Sequence, residues 1–234
     1  MITIIIPIYN EEECLRQLKI DLVPFLDKSP IPAKVLFVND GSTDGSQILI
    51  DEIHEMDDRI QFLTLSANGG LSTALKAGID HVKSPWVGYM DGDLQTRPED
   101  FFKLMQYMPE YDLITGVRIH RNDGLIKKIS SRIANTVRNF VLHDHIIDTG
   151  CPLKIIKREA AVALPLLQGM HRFLPALILL YGGKVMQVPI DHFPRYAGSA
   201  KYNLGNRMIG PFIDMLAFRW MKERHIHYHI SKKS

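Results

Sequence analysis

The chain has 234 residues, 46% hydrophobic and 23% charged, with a formal net charge of +2 at pH 7. That is enough chain for one large domain with a sizeable core and no need of covalent staples. The charge is too mild to make nucleic acid a partner on electrostatic grounds. The two cysteines, Cys14 and Cys151, lie far apart and fit neither a metal-site spacing nor a disulfide framework, so both are expected as reduced thiols in the cytosol.

In chain order, "ITIIIPI" is a short β-branched run that predicts a buried strand. The opening lacks the basic leader of a signal peptide and breaks at Pro7. Apolar residues at Leu15, Leu18, Leu22, Phe25 and Leu26 then recur at helical spacing. Strand "AKVLFVN", helix "TDGSQILIDEIHEM", strand "IQFLTL" and helix "LSTALKAGIDHV" follow, then strand "WVGYM", helix "PEDFFKLMQYM" and strand "YDLITG". This alternation predicts an α/β fold with a mostly parallel sheet and helices on both faces. From about Gly116 a basic loop and basic helix take over, followed by the turn, short strand and short helix of "DTGCPLKIIKREAAVAL". The apolar helix "FLPALILLYGG", the strand "KVMQVPI" and a basic glycine-containing loop lead to a last helix from about Leu204 to Arg224. No run reaches the roughly 18 uninterrupted apolar residues that a spanning helix needs. The expected chain therefore does not cross a membrane by itself, though lying on one remains open to it.

Folds of this class bind ligands beyond the carboxyl ends of the strands. Tyr9, Asn10 and Glu11 follow the first predicted strand, and Asp40, Gly41 and Ser42 the second. Asn68, Gly69 and Gly70 follow the third, and Asp91 and Asp93 the fourth. Asp40 combines turn chemistry with a carboxylate able to accept the imino N–H of a nucleobase, while Ser42 or Thr43 is expected to cap the next helix. The spacing of "DGSTDGSQILID" also matches a calcium-binding loop, but a strand stands where that motif needs a helix, so the match is rejected. Asp91 and Asp93 would repel each other unless a cation lay between them. Alternating carboxylates can hold a hard divalent cation that keeps water and phosphate as its other ligands, and Gln95 is positioned to add an oxygen ligand or a hydrogen bond.

The segments "IPIYNEEE", "VNDGSTDGS", "NGGLSTALKAG", "MDGDLQTRPED", "SSRIANTVRN", "DTGCPLK", "MHRFLPALI" and "HFPRYAGSAKYN" together resemble family-2 glycosyltransferases of the GT-A (Rossmann-like) fold. Within them the chain resembles the polyprenyl-phosphate branch, similar to dolichol-phosphate-mannose synthases, over nearly its whole length. The resemblance implies that Pro7, Tyr9 and Glu11 line the nucleoside pocket, with Asp40 on the base and Asn68 and Gly69 near nucleotide and sugar. It implies Mg²⁺ or Mn²⁺ and the diphosphate on Asp91 and Asp93. It implies the acceptor phosphate near Arg118, Arg132 and Asn135, with Arg195 and Lys201 joining His171 and Arg172 in closing over donor and acceptor. Asp91, Asp93, Arg118 and Arg132 are the implied catalytic set. This chain has Asp-Gly-Asp where many relatives have Asp-Ala-Asp, and Ala200 separates the serine from the lysine in "GSAKY".

The basic segment gives that resemblance a physical basis. Arg118, His120, Arg121, Lys127, Lys128, Arg132 and Arg138 form a local positive field. Lys128, Arg132 and Asn135 fall on one helix stripe. A phosphomonoester with a second pKa of roughly 6 is already ionised at neutral pH, so it needs positioning more than a strong base. Asp148 is accordingly read as positioning the loop or the acceptor, in preference to acting as a base. In the last helix Ile209, Phe212, Ile213, Leu216 and Trp220 form one apolar stripe. That stripe alone would pack against the domain; Met208, Met215, Phe218 and Met221 spread the apolar surface beyond it, with Phe218 and Met221 expected to face lipid, interrupted by Asp214 and Arg219. With Lys222, Arg224, Lys232 and Lys233 behind it, this helix is expected to lie in the membrane interface.

The expectation is therefore a catalytic domain over 1–203 and a membrane-interface helix with a basic tail over 204–234. The implied reaction is inverting, metal-dependent transfer of a sugar from a nucleotide diphosphate sugar to a polyprenyl phosphate. Uridine diphosphate is favoured over guanosine diphosphate as carrier, and no nucleic acid is involved. The expected location is cytoplasmic, peripheral on the inner face of the membrane. The alternatives are a family-2 transferase with a polysaccharide or other sugar acceptor, and a non-catalytic scaffold that binds nucleotide sugars at the membrane.

Overall fold

The computed structural model describes residues 1–119, 136, 138–194, 196, 206–226 and 231–232. Among the described residues seven strands form one sheet: β1 (Ile2–Ile8), β2 (Ala33–Asn39), β3 (Ile60–Thr64), β4 (Trp86–Tyr89), β5 (Leu113–Arg118), β6 (Lys154–Lys157) and β7 (Val185–Ile190). Their spatial order is β3-β2-β1-β4-β6-β5-β7. All neighbours run parallel except β6, which is antiparallel to both β4 and β5. That reversal carries the turn before β6 to the edge where β1, β2, β4 and β5 end.

The helices are α1 (Glu12–Lys28), α2 (Ser46–Met56), α3 (Leu71–His81), α4 (Phe101–Met105), α5 (Arg158–Ala163), α6 (Leu174–Leu180) and α7 (Asn206–Arg224). Strand alternation divides the core between the two faces of the sheet. Ile2, Ile4, Ile6 and Ile8 of β1 pack with α1, α2 and α4, including Leu15, Leu18, Ile50 and Phe101. Ile5 of the same strand packs on the other face with Leu75, Ile79, Leu174 and Leu177 of α3 and α6. The predicted mostly parallel sheet with helices on both faces is therefore present. Cys14 and Cys151 are both buried free thiols.

Two expectations about helices are corrected. The predicted helix over "PEDFFKLMQYM" is a 3-10 turn at Pro98–Asp100 followed by a short α4 that ends at Met105. Beyond it the chain closes tighter turns, with Met108 N–H donating to the Met105 carbonyl, because Pro109 drives the residue before it out of helical geometry. In α7 the faces are reversed. Phe212, Ile213, Leu216 and Trp220 of the expected packing stripe are exposed, whereas Met215 and Phe218 are buried. Phe218 stacks on Phe173 at a centroid distance of 5.4 Å, and Asp214 points inward to Arg172. These two contacts fix the helix rotation. The expected start at Leu204, and the side chains of Met208 and Ile209, lie outside the described residues.

Candidate active site

The loops after β1, β2 and β3 are tied to one another. Asp40, buried at the end of β2, accepts the backbone N–H groups of Gly69 (to Oδ1) and Gly70 (to Oδ2), each at 2.8 Å, and Asn68 Nδ2 at 3.0 Å. Gly41 (φ +67°) makes this possible, because a Cβ there would meet the Asn68 nitrogen at 2.7 Å. Asp40 thus holds the Asn68–Gly70 turn. Ser42 and Thr43 do not cap α2. Ser42 Oγ accepts the Asn10 N–H at 3.0 Å and Thr43 N–H donates to Asn10 Oδ1 at 2.7 Å, which fixes the loop bearing Tyr9 and Glu11. Asp44 Oδ1 instead accepts the Ser46 N–H at the start of α2. Pro7 is buried in β1, while Tyr9 is exposed at the loop.

Asp91 and Asp93 follow β4. Tyr89 donates its hydroxyl to Asp91 Oδ1 at 2.8 Å, and the Gln95 N–H donates to Asp93 Oδ1 at 3.1 Å. The Asp91 carboxyl is pushed up to about 6 by burial and by the charge of Asp93, against the opposing pull of Tyr89, Lys154 and Arg118. A carboxyl raised in this way gains from a cation brought beside it. Its hard oxygen donors fit Mg²⁺ or Mn²⁺ better than a softer ion. Among the described residues no group of three or more His, Cys, Asp or Glu is arranged to hold a metal. Asp91 and Asp93 would hold such an ion together with water or substrate oxygen. Gln95 is expected as a possible ligand, but its side-chain amide lies 3.5 Å from His192 Nε2 and its carbonyl accepts the Phe193 N–H.

The turn before β6 supplies the opposite wall. Arg118, at the end of β5, donates through Nε and Nη2 to the two oxygens of Asp148 at 2.7 and 2.8 Å, and its backbone N–H meets Oδ2 at 3.2 Å. Gly150 lets the turn approach, since a Cβ there would stand 3.0 Å from Arg118 Nη2. Asp148 is thereby committed to holding a guanidinium, and the bidentate edge of Arg118 to holding Asp148. Behind them lies Lys154, fully buried, paired in register with Tyr89 of β4 and Thr115 of β5. Its Nζ donates to the Cys151 carbonyl and lies 5.6 Å from the centroid of the Tyr89 ring. Burial lowers its basicity, while Cys151, Asp148 and Asp91 act to raise it.

A third wall joins α3 to the Met170–Phe173 turn. Ser72 Oγ lies 2.7 Å from His171 Nδ1 and accepts the Gly169 N–H at 3.0 Å. Burial, with Arg172 and Lys154 nearby, holds His171 down to about 3, so its ring is neutral. Arg172 reaches Asp214 of α7 at 3.2 Å. Arg138, expected in the positive field, is buried and donates to Asp144 Oδ2 at 3.1 Å and to the Ile146 carbonyl, so it is structural. His120, Arg121, Lys127, Lys128, Arg132, Asn135, Arg195 and Lys201 lie outside the described residues. Of the expected residues, the structure brings Asp40, Asn68 and Gly69 together at one end of the edge. It brings Asp91, Asp93, Arg118 and Asp148 together at the other. Sequence reasoning missed Tyr89, Lys154, Ser72 and the inward role of Asp214. A lysine inside the otherwise apolar run "LKII" is the one signal that could have exposed Lys154.

The sheet with its single reversed strand and the acidic pair after β4 define a GT-A transferase domain. Its fold matches glucosyl-3-phosphoglycerate synthase from Mycobacterium tuberculosis, solved with Mn²⁺, uridine diphosphate and glucosyl-3-phosphoglycerate. The TM-score is 0.74 over 94% of this chain and 79% of the other, at 15% identity. It also matches a mannosyltransferase from Pyrobaculum calidifontis in complex with GDP-Man and Mn²⁺, with a TM-score of 0.69 over 93% of this chain and 63% of the other, at 17% identity. At such identities the likeness speaks for the fold alone. The family profile of glycosyl transferase family 2 matches residues 3–164, and the chain belongs to that family. Among curated relatives, an undecaprenyl-phosphate 4-deoxy-4-formamido-L-arabinose transferase of Sodalis glossinidius is 30% identical over 87% of this chain. A dodecaprenyl-phosphate galacturonate synthase of Rhizobium johnstonii is 28% identical over 97%. The chain spans 63% and 70% of the length of these two proteins.

Proposed function

We propose that this chain transfers a sugar, with inversion, from a nucleotide diphosphate sugar to a polyprenyl phosphate at the cytoplasmic membrane face. The observation that carries the reading is the Asp91/Asp93 pair at the end of β4, facing the Arg118–Asp148 turn across one site. The names of the curated relatives supply the acceptor class.

Pro7, Tyr9 and Glu11 line the nucleoside pocket, and Asp40 with the Asn68–Gly70 turn it holds forms the base and ribose end. Uridine diphosphate is the favoured carrier. Mg²⁺ or Mn²⁺ on Asp91 and Asp93 would neutralise charge on the departing diphosphate. The acceptor phosphate, ionised at neutral pH, attacks the anomeric carbon from the side opposite the diphosphate, so one C–O bond forms as the other breaks. Arg118 offers its remaining guanidinium edge to that phosphate while Asp148 fixes its orientation. Arg132, Asn135, Arg195 and Lys201 complete the acceptor site, and His171 and Arg172 close it on the α7 side. Asp148 cannot readily serve as a base while both its oxygens hold a guanidinium. The domain 1–203 carries this chemistry, and 204–234 holds it at the lipid surface.

Nucleotide release from a panel of nucleotide sugars, measured with and without a short-chain polyprenyl phosphate, tests the proposal. Release that depends on the lipid phosphate, with a lipid-linked sugar as product, is expected. Release onto neutral glycans with no lipid requirement would refute it.

A further inference from the structure

We propose that Lys154 keeps the cation site of Asp91 and Asp93 weak until a diphosphate arrives, so that cation and donor bind together and the cation leaves with the nucleotide product. The inference rests on the metal reading above and adds a residue that touches neither substrate nor metal.

Lys154 is an amine in a dry place, where burial lowers its basicity and the nearby Cys151, Asp148 and Asp91 act to raise it. It is 1% exposed, its backbone is locked between β4 and β5, and its Nζ is anchored on the Cys151 carbonyl. Among the described residues no carboxylate lies within salt-bridge distance of it. A buried lysine without a carboxylate partner is costly, and an apolar side chain would fill the same strand position at the lesser cost of leaving the Cys151 carbonyl without this donor. What only the lysine supplies is its field. One aromatic ring separates it from the acidic pair: Nζ is 5.6 Å from the Tyr89 centroid, and the Tyr89 hydroxyl is 2.8 Å from Asp91 Oδ1.

The field acts with opposite sign on the two things the site must hold. A divalent cation approaching Asp91 is repelled through twice the charge of a proton, and low dielectric keeps that repulsion strong. A diphosphate is attracted by the same lysine. With Asp91 and Asp93 as its carboxylate ligands, the repulsion leaves a bare cation weakly held, and the diphosphate supplies further oxygen ligands and negative charge. Without Lys154 the bare site would hold its cation tightly and release the metal–nucleotide product slowly.

The test measures Mn²⁺ affinity by the loss of the free-ion spin-resonance signal, with and without uridine or guanosine diphosphate. Lys154→Gln keeps a donor for the Cys151 carbonyl and removes the charge. It is expected to bind Mn²⁺ alone about tenfold more tightly than the wild type and to gain less from added nucleotide. Lys154→Met should behave alike and provides a second fold-compatible variant, while Lys154→Arg should resemble the wild type. A purely structural role predicts the reverse sign, weaker Mn²⁺ binding with a lowered melting temperature. Unchanged or weakened Mn²⁺ binding in folded Lys154→Gln or Lys154→Met overturns the proposal. So does a wild type that binds Mn²⁺ equally well without nucleotide. A wild type that binds no Mn²⁺ even with nucleotide overturns the metal reading itself, and this inference with it.

Discussion

Replacing Asp148 by asparagine separates a positioning carboxylate from a catalytic base. In the structure Asp148 is held in a bidentate pair with Arg118, side chains 9% and 13% exposed, and takes a third bond from the Arg118 N–H. Breaking a fully buried ion pair costs about 3–5 kcal/mol, because the surviving charge is left uncompensated. Asparagine keeps the shape and one acceptor, and the pair is not wholly buried, so the expected loss is about 2–3 kcal/mol. For a domain of this size that lowers the melting temperature by roughly 5–10 °C. Arg118, released on one edge, no longer presents its other edge at a fixed angle, so the KM for polyprenyl phosphate rises while the donor KM stays level. The double variant Asp148→Asn/Arg118→Gln removes the orphaned charge and should recover part of the lost stability. Calorimetry with steady-state kinetics over a range of pH decides the matter. If Asp148→Asn melts like the wild type, yet loses turnover together with the acid limb of the pH profile, Asp148 is a base and the positioning argument is wrong.

The remaining predictions concern the metal, the acceptor and the buried histidine. Asp91→Asn or Asp93→Asn should nearly abolish transfer, as should a chelator, and full turnover in chelator would remove the metal from the reaction. Arg132→Ala should impair use of the lipid phosphate with nucleotide-sugar affinity intact; a collapse of donor affinity instead would mean the residue is misassigned. His171 is depressed to about 3 from an ordinary value of 6.5, so the unfolded state binds its proton first as pH falls. The stability it contributes is complete above pH 6.5 and is lost progressively as pH falls from there towards about 3, amounting to about 2 kcal/mol at pH 5. His171→Gln should flatten that part of the stability curve in denaturant titrations at pH 7.5 and 5, and an unaltered slope would mean that the ring is not held neutral.

What could be read from the sequence was local, and what could not was set by contacts between distant segments. The strands were legible because β-branched runs such as "ITIIIPI" are buried on both faces. The edge residues were legible because each strand hands over to a turn at one end of the sheet. The apolar spacing of α1 was legible because all five residues named from it are buried. Lys154 reaches the floor of the site through antiparallel insertion of β6 between β4 and β5, a pairing no local pattern encodes. The rotation of α7 was misread because both faces are apolar. The choice between them falls to Asp214 meeting Arg172, and Phe218 meeting Phe173, over 40 residues away. Ser42 and Thr43 looked like caps because a helix follows them, but the β1 loop lies closer to their hydroxyls than the helix N-terminus does.

The reversed faces of α7 strengthen the membrane proposal and change how it must be tested. Phe212, Ile213, Leu216 and Trp220 are 53%, 57%, 46% and 60% exposed, and none of them joins the buried core of the described residues. Asp214 does not spoil this face, since it is turned inward to Arg172. Arg224 lies over the Trp220 ring at 5.0 Å, a cation beside the apolar face where anionic head groups would meet it. Lys222, also expected at the head groups, instead donates to the Leu142 carbonyl, so the basic contribution falls to Arg224 and the tail. Among the described residues no helix is long and apolar enough to cross a membrane; it is the exposed apolar face of α7 that supports the proposal of a helix lying in the interface. Sinking a half-exposed side chain of this size into lipid is worth roughly 1–1.5 kcal/mol. Leu216→Ser with Trp220→Ser should therefore weaken vesicle binding by roughly thirtyfold or more, with melting temperature and nucleotide binding preserved. Phe218→Ala should do the opposite, costing about 3–5 kcal/mol of stability through the cavity left against Phe173. Salt should weaken only the share contributed by anionic lipid. Sedimentation with vesicles and thermal melting of the same samples separate the two faces. If Leu216→Ser/Trp220→Ser melts early and still sediments with lipid, that face is packed rather than inserted, and α7 is not the anchor.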